Sequence, residues 1–287
     1  MKYLLLTLIL IISLFGVSQR ERKVVEPNTN KPKSVSLNGT IDTLEIKSIY
    51  LNETRTISIY KPQKTSNNLG YGVLIVTDGV TAQLSNYVEY LIENNMIEPI
   101  IIVGINQRDK QPVDSILSNF EIDFRMKDLL KGEVRLAKNE EAYRDSSISK
   151  LISGRHSKFL NFVGQEVIPF IKNNYEVNND KTHWTIGGFS NGGAFVYSFA
   201  CTFPNLIGHS IVMSPGGFND YDIEKSDCRF YICAGKHEPS GFINNSKQYL
   251  KLMKKKKISF LHRLYNSGHD WEMWLDFYID RIRYIYQ

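Results

Sequence analysis

The stretch "TIGGFSNGGAF" (Thr185–Phe195) sets one serine among four glycines. β-Branched residues precede it and apolar residues at helical spacing follow. Gly188-Phe189-Ser190-Asn191-Gly192 is a G-x-S-x-G sequence, and its flanks predict a strand, a sharp turn and a helix. Such a turn needs glycines because its neighbours come too close for side chains. It lifts the Ser190 hydroxyl to the top of a sheet, over the positive end of the next helix. A plain tight turn with a serine helix cap has the same local pattern, so the rest of the chain must decide.

Working outward, continuous apolar runs recur. "YGVLIVTDG" (Tyr71–Gly79), "PIIIVGIN" (Pro99–Asn106), "HWTIGG" (His183–Gly188), "HSIVMS" (His209–Ser214), "CRFYICAG" (Cys228–Gly235) and "ISFLHRLY" (Ile258–Tyr265) read as strands buried on both faces. Ahead of them, Ile41–Pro62 alternates twice around Asn52-Glu53, the pattern of an antiparallel hairpin. Helical periodicity occupies Asn191–Phe203, Asn244–Lys256 and Trp271–Tyr286. It also marks Phe159, Leu160, Val163, Val167, Phe170 and Ile171, with Pro169 predicting a kink or an early break. Strands alternating with helices after a hairpin predict an α/β architecture. Its central sheet is mostly parallel, with an N-terminal antiparallel hairpin and helices on both faces.

Two further segments bear on Ser190. In "NSGHDWEMW" (Asn266–Trp274), His269 follows the last strand on a loop, where a general base can both reach a serine and shuttle its proton. His156, His183, His209 and His262 fall in or beside elements and read as structural; His237 is the one rival. In "ICAGKHEPSG" (Ile232–Gly241), Glu238 comes three residues after a strand ends. The order Ser190, Glu238, His269 suits a nucleophile, an acid and a base in relay. Asp222 and Asp227 precede that strand, and Asp270 adjoins the base; all three are worse placed. An oxyanion hole is expected from the backbone N–H of Asn191 and from the loop after Tyr71–Thr77, with Val80 preferred and Gly79 next. Asp78, Arg108, Phe189 and Trp271 are candidates for substrate contact.

Length, charge and the ends of the chain bound the rest. The 287 residues, 42% apolar, suffice for one domain, expected over 37–287. The formal charge of +5 comes partly from Lys254–Lys257, read as a solvated helix end. No basic stripe with aromatics supports nucleic-acid binding. Lys2, the apolar run Leu4–Phe15 and the small residues Gly16-Val17-Ser18 predict a cleaved signal peptide over 1–18, so the product is expected to be exported. The run is short of the roughly 20 apolar residues of a membrane span. Residues 19–36 read as a flexible leader, and 106–153 as an irregular, charged insertion near the carboxyl ends of the strands. Cys201, Cys228 and Cys233 are an odd count; the last two bracket a strand at an offset that points them to opposite faces, so no essential disulfide is expected. No cysteine–histidine cluster has zinc spacing, and neither metal nor cofactor is expected.

At these residues the chain resembles the secreted esterase family of α/β-hydrolases. That family holds enterochelin esterases, acetylxylan and feruloyl esterases, S-formylglutathione hydrolases and mycolyl transferases. The segments "VLIVTDG", "EPIIIVGIN", "SGRHSKFLNFVGQEVIPFIKNNYEV", "TIGGFSNGGAF", "AGKHE" and "SGHDWEMW" come in the family's order and cover most of the chain after Tyr71. The resemblance implies Ser190 as nucleophile, Glu238 as acid and His269 as base, with amides near Val80 and Asn191 as the oxyanion hole. Asn191 departs from the methionine of many members, and 106–153 matches poorly. The expected activity is hydrolysis of a small or polysaccharide-linked ester, with siderophore, acetyl or feruloyl esters foremost. Acyl transfer and non-catalytic ligand binding on the same scaffold are the alternatives.

Overall fold

The computed structural model describes residues 24–28, 35–64, 69–107, 124–131 and 153–287. The expected signal peptide, most of the leader and most of the 106–153 insertion, Arg108 included, lie outside the described residues.

Eight strands form one sheet in the order β1-β2-β4-β3-β5-β6-β7-β8. β1 (Thr40–Ser48) and β2 (Glu53–Lys61) are the expected hairpin, with Asn52 between them at φ 53°. β2 runs antiparallel to β4 (Ile100–Ile105). From there the sheet is parallel through β3 (Gly72–Thr77), β5 (Trp184–Phe189), β6 (His209–Met213), β7 (Arg229–Gly235) and β8 (Phe260–Tyr265). The apolar runs are continuous because both faces of the sheet are covered. Along β3, Val73 and Ile75 enter one core while Leu74 and Val76 enter the other.

The first core is closed by Phe159, Phe162 and Val167, by α5 (Asn191–Thr202) and by α6 (Ser240–Lys255). The second is closed by α1 (Thr81–Glu93) and α7 (Trp271–Ile285), through Leu84, Val88, Trp274 and Tyr278. Each fully buried aliphatic chain contributes about 1.5–3 kcal/mol. Cys228 sits in one core and Cys233 in the other, and all three cysteines are free and buried.

Three local readings are corrected. α1 has no counterpart among the expected helices, although its Leu84, Val88, Leu91 and Ile92 follow the helical period. Pro169 does not end its helix: α3 (Arg155–Asn161) passes through a π-helical turn (Phe162–Val167) into α4 (Ile168–Asn174). The proline lies in the first turn of α4, where a missing N–H is tolerated. The leader is not free over Val24–Asn28. Val25 N–H donates to Leu264 O at 3.0 Å and Val25 O accepts from Asn266 N–H at 2.8 Å, which covers the edge of β8.

One stretch of the insertion is described: α2 (Phe124–Leu129). A buried ionic square fastens it. Asp128 takes Arg55 Nη1 at 2.9 Å and Arg155 Nε at 2.5 Å; Glu53 takes the same two guanidiniums at 3.1 and 2.5 Å. Burial alone would raise the Glu53 carboxyl, but Arg155 and Arg55 outweigh it and hold it below its ordinary value. For the more deeply buried Asp128, burial wins over both arginines and the direction is upward. The square joins β2, α2 and α3 and thereby fixes where α2 faces the sheet.

No helix among the described residues is long and apolar enough to cross a membrane.

Candidate active site

The carboxyl ends of the parallel strands carry three non-glycine residues with left-handed backbones: Asp78 after β3 (φ 63°), Ser190 after β5 (φ 55°, ψ −128°) and Ser214 after β6 (φ 44°). Such conformations cost about 1–3 kcal/mol each and persist where surrounding structure enforces them. Around Ser190 the enforcement is visible. Its N–H donates to Met213 O at 3.0 Å, and its O accepts from Gly193 and Gly216 N–H at 3.0 and 2.8 Å. A Cβ on Gly188 would stand 2.6 Å from Gly192 O, so the turn closes only on glycine.

Glu238 and His269 meet beside this turn. His269 Nδ1 lies 3.5 Å from Glu238 Oε1; the carboxylate side chain is 0% exposed and the imidazole 23%. The carboxylate is held from behind by the hydroxyl of Ser214, which donates to Oε1 and accepts the Trp274 indole N–H at 2.8 Å. Trp274 in turn meets the imidazole edge-on at 4.7 Å, and Phe242 covers the ring at 4.0 Å. Met213 and Ser214 therefore hold both Ser190 and Glu238 through one loop. Among the described residues no hydrogen bond reaches Ser190 Oγ, so the imidazole and the hydroxyl are not joined in this geometry.

The rival residues are otherwise engaged. His237 is exposed and bonds Asn266 Oδ1 at 2.9 Å. Asp270 caps α7 by accepting the Met273 N–H at 3.0 Å, and also accepts from Ser267 Oγ at 2.5 Å. His156 is buried with Nδ1 against the Asp128 carbonyl at 3.0 Å, and burial lowers its pKa to about 4.

Of the two backbone amides expected from the loop after β3, one is already engaged. Gly79 donates its N–H to Ile105 O at 3.1 Å, so its amide is taken. Its left-handed φ of 64° and its contact with Asn106 explain the glycine. Val80 N–H and Asn191 N–H make no described hydrogen bond; Asn191 opens α5, where the first amides lack intrahelical partners. Gly216 packs directly on Asn191: a Cβ there would stand 2.1 Å from Asn191 Oδ1 and 2.9 Å from its amide nitrogen.

Of the expected substrate contacts, Asp78 is spent within the protein. Arg125 of α2 clamps it through Nε–Oδ1 at 2.5 Å and Nη2–Oδ2 at 2.9 Å, and Thr77 and Gln107 add longer contacts. With its side chain 5% exposed, Asp78 faces Arg125 rather than open solvent. Phe189 and Trp271 are half-buried in an aromatic group with Trp274, at 4.4 Å between Phe189 and Trp274 and 5.8 Å between Phe189 and Trp271. Ser214, Arg125 and Gly216 have no place in the sequence reading. A serine ending a strand or a glycine in a loop is too common to single out, and Arg125 was one charge among many.

No protein-family profile matches the chain. Among curated proteins, the uncharacterized protein YjcH of Bacillus subtilis (strain 168) is 21% identical over 258 residues, covering 83% of this chain and 93% of that one. Among solved structures, the BES protein from Bacillus cereus is 18% identical, covering 89% and 99% of the two chains at a TM-score of 0.67. A ferulic acid esterase is 16% identical, covering 88% and 98% at 0.65. The enterobactin esterase FES from Shigella flexneri is 17% identical, covering 92% of this chain and 63% of that one at 0.63. The chain has the α/β-hydrolase fold, which it shares with a ferulic acid esterase and an enterobactin esterase.

Proposed function

We propose that the chain is a serine carboxylic-ester hydrolase working through an acyl-enzyme. One observation carries this reading: a strained Ser190 turn after β5 and a buried Glu238 beside a partly exposed His269, after β7 and β8, are tied to the same Met213-Ser214 segment at the end of β6. A binding protein gains nothing from that strain.

In the proposed cycle His269 closes on Ser190 Oγ when substrate arrives, a tightening common to catalytic pairs that stand loose without ligand. The imidazole takes the hydroxyl proton as Oγ attacks the ester carbonyl. The tetrahedral oxyanion rests on the amides of Val80 and Asn191. Glu238 orients the ring and stabilises the imidazolium. His269 then gives the proton to the leaving alcohol, and a water repeats the sequence to free the acid. The structural neighbours favour acids of the feruloyl or siderophore kind, in keeping with the aromatic group of Phe189, Trp271 and Trp274. Export after cleavage within residues 1–18 belongs to the same reading.

Hydrolysis of p-nitrophenyl acetate by the wild type and by Ser190→Ala tests it. The substitution is expected to remove several orders of magnitude, up to roughly 10⁶-fold. Equal rates would end the esterase reading. Methyl ferulate, acetylated xylan and ferric enterobactin then rank the substrate classes.

A further inference from the structure

One cavity among the described residues lies apart from Ser190, Glu238 and His269, none of which lines it. It holds about 400 Å³ between α6 and the end of the sheet, within the range of small-molecule sites. Ile243 and Leu250 of α6, with Phe260 and Leu264 of β8, make its apolar walls. Lys236, Lys247 and Lys254 stand at its rim, all exposed. No described hydrogen bond or ion pair engages their ammonium groups, and no acidic residue among the described ones lines the cavity. Inside, Ser246 is 3% exposed, and among the described residues its hydroxyl has no partner. A buried hydroxyl left unsatisfied carries a desolvation penalty, which a ligand oxygen would relieve. Buried Ser198 and Ser210, by contrast, do find acceptors.

We infer that this cavity is a binding site for a small amphipathic carboxylate, its aryl or alkyl body against Leu250 and Phe260 and its charge among the three lysines. The apolar walls select the body, and three cations without counter-charges select the head. None of Ser190, Glu238 and His269 lines it. It does share the β7–α6 connection with Glu238, and α6 carries Phe242 against the His269 ring. The inference does not depend on the catalytic reading.

Isothermal titration of the full chain with hexanoate, octanoate and 4-phenylbutyrate tests it, with 4-phenylbutanol as the uncharged match. Octanoate should bind more tightly than hexanoate by about fourfold per added methylene. The alcohol should bind about tenfold more weakly than its acid, since rim charges act through solvent. Leu250→Trp, which fills the cavity, should abolish binding. Lys247→Glu with Lys254→Glu, both on the surface, should weaken the acids by at least tenfold and leave the alcohol unchanged; this pair serves if Leu250→Trp does not fold. Ser190→Ala should bind as the wild type does. The inference is overturned if no acid binds at millimolar concentration, if acid and alcohol bind alike, or if binding survives in Leu250→Trp. It is equally overturned if Ser190→Ala loses binding that the lysine pair keeps, since the acid then sits in the catalytic cleft.

Discussion

Ser214→Ala isolates the support of the acid. Glu238 is wholly buried, Oε2 has no protein partner, and among the described residues only the Ser214 hydroxyl donates to its side chain. A hydrogen bond to a charged group is worth about 1.5–3 kcal/mol. At 1.36 kcal/mol per tenfold in rate, its loss predicts a fall of roughly 10- to 150-fold. The fall should appear in kcat with KM nearly unchanged, because in the proposed cycle Glu238 acts on an imidazolium that exists only during reaction. Backbone strain is a confounding cause, since Ser214 holds φ at 44°. Ser214→Gly separates the two: it removes the same hydroxyl while accepting that φ at no cost. Both variants should lose the same rate on p-nitrophenyl acetate, with Ser214→Gly the more stable of the pair in urea. Wild-type kcat in Ser214→Ala would rule out this support of Glu238, as would a full recovery in Ser214→Gly.

Arg125→Ala should lower kcat by about tenfold, because a nearly buried Asp78 loses its two-pronged partner and the Val80 turn loosens; Arg125 is a quarter exposed, which limits the effect. Arg125→Lys keeps the charge without the fork and should fall between; a wild-type rate in Arg125→Ala would separate the clamp from the oxyanion loop. Stability should also fall on acidification. Burial holds His156 neutral down to about 4, while the unfolded chain takes up its proton near 6.5. That stability is present above pH 6.5 and is lost as pH falls toward 4, by at most about 3 kcal/mol at 1.36 kcal/mol per pH unit. His209, likewise lowered to about 4 by burial, acts in the same sense. Urea unfolding at pH 7.5 and 5 should show a reduced loss in His156→Gln; an identical loss would remove His156 as the cause.

What the sequence made legible follows from what periodicity can encode. A parallel strand buried on both faces leaves an unbroken apolar run, so β3 to β8 were readable, and so was the β1–β2 hairpin with its polar turn. The Ser190 turn was readable because only glycine fits beside it. Glu238 and His269 could be placed because each follows a strand end. Harder to read were features made by distant contact. Ser214 reaches Glu238 only because β6 and β7 are neighbours. Arg125 meets Asp78 only because the square of Glu53, Arg55, Asp128 and Arg155 sets α2 over β2. The amide of Gly79 is spent on Ile105 because β3 and β4 run side by side in register. α1 has no counterpart in the sequence reading although its periodicity is present, and α6 begins at Ser240, a turn earlier than expected, because Ser240-Gly241 looks like loop.

In the proposed mechanism Ser190 is a nucleophile activated by His269. Labelling with a fluorophosphonate, followed by mass spectrometry of the peptide spanning Thr185–Phe195, reads this at the residue itself. One phosphonyl group per chain on Ser190 is predicted, absent in Ser190→Ala and slowed by orders of magnitude in His269→Ala. An unlabelled Ser190 in the wild type, or equal labelling rates with and without the imidazole, would contradict it.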